Sequence, residues 1–232
     1  MIEGSAFTGS DVALMVHPCP ESAVVMPSYA RKKVAYTFHG KAAHAAMSPW
    51  MGNNALDAAV QCYNSISAKR QQFKPTVRVH GVFTNGGDRP NIIPEEAELL
   101  YYIRAPTTAE LEPVVKKCEA CAKGAALASD CTVDIKYQGY YAEVITNRNL
   151  AQLYRKHCED MGVEFSNDPA IAKSLGAPDA QKPTLIQAKA LALTAIQLLQ
   201  PGGDKLMKSI KAEFKEISPN PMINSSYSFT NC

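Results

Sequence analysis

The chain has 232 residues, with 24 Lys plus Arg against 22 Asp plus Glu, a formal charge of +2 when the five histidines are neutral. A hydrophobic fraction of 46% beside 20% charged residues supplies enough apolar material for a core and excludes a mainly disordered or fibrous polypeptide. The near-balanced charge argues against a binder of phosphate backbones, which gathers Lys and Arg on one face, so nucleic acid is not expected as a partner.

The N-terminal run Met1-Ile2-Glu3-Gly4-Ser5 lacks the basic cap and apolar stretch of a secretory leader, which predicts a cytoplasmic protein. Seven cysteines, odd in number and scattered, differ from the framework of a small secreted domain and are expected as free thiols. Leu185 to Leu199 is the most apolar stretch. It is interrupted by Gln187, Lys189, Thr194 and Gln197 and falls short of the roughly 20 residues of a membrane span, so it predicts a buried helix and no membrane partner.

In chain order, Asp11 to His17 is a short apolar run closed by Pro18 and Pro20, the pattern of a buried strand. Lys33 to His39 alternates towards a strand. Asn53 to Gln72 places Leu56, Ala59, Val60, Tyr63 and Ile66 at helical spacing, and Val77 to Phe83 is β-rich before the turn Asn85-Gly86-Gly87-Asp88. Ala97 to Arg104 predicts another strand. Thr107 or Thr108 caps a helix on which Leu111, Val114, Val115, Cys118 and Cys121 share a face, and Glu110 or Glu112 suits its N-terminal dipole. Cys131 to Tyr137 alternates again. Residues 31–145 therefore read as a split βαβ sandwich, a four-stranded antiparallel sheet with two helices on one side. The flanks, 1–30 and 146–232, hold one strand and helices over Asn149–Met161, Thr184–Leu199 and Lys205–Glu216. They read as two ends of a larger α/β domain that hosts the module.

Three constellations could carry chemistry. His17, at a strand end beside Pro18, is either a metal ligand or a rim histidine bonded to backbone. His44 stands in Gly40-Lys41-Ala42-Ala43-His44-Ala45-Ala46, where small neighbours admit a ligand or a second chain and an exposed imidazole can donate to an oxyanion; the alternative is a turn histidine. Asn91, in Pro90-Asn91-Ile92-Ile93-Pro94, and Arg104, thirteen residues on, could converge on a carboxylate, or Arg104 could be a solvated strand-end arginine. Cys118-x-x-Cys121 lacks the second pair of a zinc site and reads as packing.

Taken together, Phe7-Thr8-Gly9-Ser10-Asp11 through His17-Pro18, then Gly40-Lys41-Ala42-Ala43-His44-Ala45 with Pro49, Gly52 and Asn54-Ala55-Leu56-Asp57-Ala58, then Gly81, Pro90-Asn91-Ile92-Ile93-Pro94 and Arg104, resemble the zinc-dependent aminoacylase, carboxypeptidase and dipeptidase family with an inserted peptidase dimerisation domain. The likeness extends to Thr184–Ala192 and is nearest to the amidohydrolase branch of β-alanyl-lysine type dipeptidases. It implies an α/β catalytic domain, here residues 1–30 and 146–232, interrupted by an α+β lid at 31–145. It implies hydrolysis of dipeptide or N-acyl amino acid amides, and a homodimer or a pair with a full-length paralogue. By the same likeness His17 is a zinc ligand, His44 reaches the partner subunit's active site, and Asn91 and Arg104 hold the substrate carboxylate. Complete members also carry an earlier ligand pair, an adjacent Glu-Glu and a late His-Thr. Here Phe165-Ser166-Asn167-Asp168-Pro169 runs almost at once into Gly176-Ala177-Pro178, and His157 does not match the late histidine. This pattern predicts an incomplete metal shell and impaired activity, or a non-catalytic dimerising module.

Overall fold

A computed structural model of the chain describes residues 28–165 and 190–217. Two units can be distinguished, one ending at Val144 and one from Ile145 on. The first runs β1 (Ala30–His39), α1 (Ala55–Lys69), β2 (Arg78–Asn85), β3 (Glu96–Ala105), α2 (Thr108–Ala128) and β4 (Thr132–Tyr141), with short 3-10 turns at Pro49–Met51 and Arg70–Gln72. Its four strands are antiparallel neighbours in the order β2-β3-β1-β4, and both helices pack on one face.

The alternation in β3 sets the layers. Ala97, Leu99, Tyr101, Ile103 and Ala105 are buried against the helices, while Glu98, Leu100, Tyr102 and Arg104 point to the other face. Val34, Tyr36 and Phe38 of β1 complete the inner layer, and Ala55, Ala58, Ala59, Cys62 and Ile66 of α1 face it. Tyr36 and Tyr101 meet edge to face with centroids 5.9 Å apart. Gly81 of β2 lies beneath the Tyr101 ring: a Cβ there would sit 2.5 Å from ring carbons.

Side-chain caps fix where the helices begin. Asn54 Oδ1 accepts from Leu56 N and Asp57 N at the start of α1. Thr107, of the two candidate threonines, caps α2 through Glu110 N. The two early glutamates of α2 reach elsewhere, Glu112 to Lys32 at 2.7 Å and Glu110 to Lys74 at 2.9 Å. Glu143 accepts from both the amide and the hydroxyl of Thr108, at 2.9 and 2.7 Å, on the first turn of α2. Burial alone would raise that carboxyl, but the Thr108 donors outweigh it and hold it below its usual range. Leu111, Val114, Val115 and Cys118 are buried on α2 as the spacing predicts, and Cys121 is half-buried beside them.

The second unit contains α3 (Arg148–Asp160), the helical residues 190–199 (α4) and α5 (Gly203–Ile217). Asn147 caps α3 through Leu150 N and donates to Ile210 O, while Glu213 accepts from the amides of Arg148 and Asn149, which ties α5 to α3. Ala190, Thr194 and Leu198 are buried at fourfold spacing on α4, whereas Leu193, Ile196 and Leu199 are exposed. The helix expected from Thr184 is described only from residue 190. The strand expected over Asp11–His17, and His17 itself, lie outside the described residues.

Candidate functional site

Past the end of β1 the chain turns back on itself, and the tightness of that turn places His44. Lys41 and Asn53 exchange both backbone hydrogen bonds, at 2.9 and 3.0 Å, and Gly40 N donates to Glu95 O. Gly40 permits this closure, because a Cβ there would lie 2.1 Å from Asn53 O. The small residues around His44 thus serve the loop's own packing.

His44 forms an isolated antiparallel bridge with Ile92, and Ala45 N donates to Asn91 O at 3.1 Å. The loop fixed by Pro90 and Pro94 is thereby zipped to the histidine loop, so the fold brings His44 and Asn91 together. Nδ1 of His44 accepts from the amides of Ala46 and Met47, each at 3.2 Å. An Nδ1 lone pair committed to two N–H donors places the proton of a neutral ring on Nε2, which is left to donate outwards from an exposed side chain. Met47, Trp50, Met51 and Ile92 rim the loop as exposed apolar side chains, Trp50 at 79% of its free surface. The sequence reading missed this rim, although a single Trp in a Pro-Trp-Met loop outside any periodic face was its visible trace.

Arg104 is not with them. Glu96, near the Asn91 loop, and Arg104 sit at opposite ends of β3, eight residues apart, so the strand holds the two ends roughly 26 Å from each other. Asn91 lies with the histidine loop, towards the Glu96 end of β3, and Arg104 lies at the strand's other end. Arg104 instead belongs to a cross-strand row, opposite Arg31 on β1 and Arg78 on β2.

Among the described residues no group of three or more His, Cys, Asp or Glu side chains could hold a metal ion, so these residues do not assemble a zinc centre. Cys62, Cys118, Cys121, Cys131 and Cys158 are free thiols. Burial pushes Cys62 and Cys118 up to about 12, the opposite of an activated thiolate or ligand. No described helix is long and apolar enough to cross a membrane. A groove of about 590 Å³ between α1 and α2 is lined by Lys69, Lys117 and Cys121 among others, and by none of the predicted site residues.

Residues 31–130 match the peptidase dimerisation domain family. The Xaa-Arg dipeptidases of Homo sapiens and Mus musculus are 40% and 39% identical to the chain over 254 positions, covering 93% of it and 58% of their own length. A p-aminobenzoyl-glutamate hydrolase chain of Escherichia coli is 30% identical across 74% of the present chain and 36% of its own length. Among solved structures, an aminobenzoyl-glutamate utilization protein from Klebsiella pneumoniae superposes with a TM-score of 0.53 at 25% identity, over 71% of this chain and 42% of that one. The chain thus spans little more than half of the curated dipeptidases it matches. The 254 aligned positions also exceed its 232 residues, so those relatives contain internal segments that it lacks. The antiparallel sheet with its paired helices, the zipped His44 loop and these likenesses agree: the chain belongs to the aminoacylase and dipeptidase family that carries a peptidase dimerisation domain, a family whose peptidases are generally metal-dependent.

Proposed function

We propose that this chain is the lid-bearing part of a hydrolase that cleaves the amide bond of a dipeptide or N-acyl amino acid with a free carboxylate. His44 of one copy donates its Nε2–H to the oxyanion that develops at the scissile carbonyl, and Asn91 of the same copy holds the substrate beside it. Arg104 of a second copy receives the carboxylate as a bidentate guanidinium. The observation that carries this reading is the roughly 26 Å between the two ends of β3, beside an imidazole whose Nδ1 is already engaged. A small substrate cannot span that distance in one chain, whereas a two-fold pair can set opposite ends of two lids around it. The domain's family and the outer edge of β2, which among the described strands is bonded on one side only, support such pairing.

In this reading the reaction uses zinc, which supplies an activated water when bound, and His17 is one ligand. The family likeness supplies no counterpart for the remaining ligands or the general-base glutamate among these 232 residues. The polypeptide by itself therefore pairs and holds a carboxylate without turning substrate over. Its free thiols suit a cytoplasmic setting. Elemental analysis with a β-alanyl dipeptide assay tests this: less than about one zinc per chain and no turnover are expected, since catalytic zinc needs three protein ligands. Tight binding of metal with turnover would overturn the impaired-enzyme reading.

A second reading, a non-catalytic module pairing with itself or with a full-length paralogue, rests on the same β2 edge and on the exposed Val82 beside it. Light scattering at micromolar concentration that finds only monomers would count against it.

A further inference from the structure

The backbone that presents His44 forms a small hydrogen-bonded platform. Lys41 pairs with Asn53, Ile93 N donates to Ala43 O at 2.9 Å, and Ala45 N donates to Asn91 O at 3.1 Å, so three stretches of chain lie side by side. The platform continues into β1, α1 and β3, where Gly40 N donates to Glu95 O and Ala55 N to Pro94 O. Gly52 closes its middle: a Cβ there would lie 2.9 Å from both Ala43 Cβ and Lys41 O. These contacts set the internal shape of the platform.

One side chain ties it to the far end of α2. Asn53 Nδ2 donates to Asp130 O at 2.5 Å, across 77 positions of sequence. Among the described residues this is the one side-chain hydrogen bond from residues 40–54 or 86–95 to α2, β4 or the turn between them. The acceptor is well placed. Asp130 has φ +50°, the left-handed conformation that glycine usually takes after a helix. Cys131 N donates to Ala126 O at 2.9 Å and Asp130 N to Leu127 O at 3.4 Å, so the turn satisfies the last carbonyls of α2 and leaves that of Asp130 for an outside donor. Gln61 Nε2 holds the same turn to α1 through Ser129 Oγ at 3.0 Å. Asn53 therefore grips a fixed point. Its backbone is committed to Lys41 and its carboxamide to Asp130, whereas the neighbouring Asn54 caps α1.

We propose that Asn53 is a positioning residue for His44: by anchoring the platform on the Asp130 carbonyl it holds the direction in which the imidazole presents Nε2. It acts through the Lys41 pairing, and a shift of the platform moves the Ala46 and Met47 amides that engage Nδ1. This role rests on the oxyanion function proposed above for His44 and adds the contact that keeps its donor aimed.

Nuclear magnetic resonance of the ¹⁵N-labelled 232-residue chain tests it with two variants. Asn53→Ala removes the donor, and Asn53→Asp keeps the shape but sets an oxygen against the Asp130 carbonyl. Both should speed amide exchange at Ala45, Ala46 and Met47 by roughly two- to tenfold, the equivalent of one intramolecular hydrogen bond. Both should also draw the two His44 ring-nitrogen shifts together as the fixed tautomer gives way to a mixture, while amides of β1 and β3 keep their exchange rates. Asp130→Gly retains the carbonyl, eases the left-handed backbone and should leave ring and loop unchanged. Wild-type loop exchange and ring shifts in both Asn53 variants would overturn the proposal and spare the oxyanion reading. Faster exchange spread equally through β1 and β3 would make Asn53 a general stabiliser and overturn it too. A wild-type ring already protonated on Nδ1 would remove the oxyanion reading and this role together.

Discussion

His44 and Ile92, 48 positions apart, are joined by an antiparallel bridge that carries Asn91 to the backbone of the histidine loop. The Nδ1 atom of His44 then faces two amide donors. In ¹⁵N-labelled protein at mildly alkaline pH, long-range proton–nitrogen correlation should show a bare Nδ1 and a protonated Nε2 for this ring. A protonated Nδ1 would mean that the amides of Ala46 and Met47 do not set the tautomer, and the oxyanion role would lose its geometric basis.

The Tyr101 ring occupies the place that a side chain at position 81 would need. Gly81→Ala forces a methyl to within 2.5 Å of ring carbons and should lower unfolding stability by about 1–3 kcal/mol, read from urea denaturation. Gly86→Ala meets nothing nearer than Leu56 Cδ1 at 3.9 Å and should change the midpoint little. Similar midpoints for both variants would contradict the close packing of β2 over Tyr101.

Two buried thiols give stability a pH dependence with a definite sign. Burial pushes Cys62 and Cys118 from 9.0 up to about 12, so the folded state keeps protons that the unfolded state releases. Their contribution is whole below about pH 9 and is lost as pH rises towards 12, by at most ~1.4 kcal/mol per pH unit for each thiol. Burial raises the Tyr36 and Tyr101 phenols as well, which extends the loss. Urea midpoints should fall through this window, and the Cys62→Ala, Cys118→Ala double variant should show a shallower fall. The same burial predicts that maleimide labels Cys121 and Cys131, both half-buried, well before Cys62 and Cys118 in native protein.

Core content differs between the two units. The sheet and its helices bury a continuous cluster from Ala30 to Ala126, whereas the described helices from Arg148 on bury Cys158, Ala190, Thr194, Leu198 and Ile210. Amide hydrogen exchange followed by mass spectrometry should find the slowest amides in β1 and β3. Equal protection in α3 and α5 would contradict this.

Much of the fold was legible in the sequence because its information is local. Period-two alternation in Ala97–Arg104 marked β3, a Thr marked the start of α2, and Leu111 through Cys118 shared a face as their spacing required. The four-stranded antiparallel sheet with two helices on one side followed from a familiar element order. The motif around His44, with Asn91 and Arg104, was legible as a family pattern.

The relations among those residues were decided only in three dimensions. Nothing in the spacing of Asn91 and Arg104 says that an extended strand keeps them apart, because sequence separation does not give direction in space. Pairing alone sets Arg31 and Arg78 both opposite Arg104. The tautomer of His44 depends on where two backbone amides point after the chain turns at Gly40. Composition and periodicity determine which residues are buried and in which elements, since those follow from hydrophobicity and backbone geometry. Which charges become neighbours is settled by strand register, a property of the pairing and not of either strand alone.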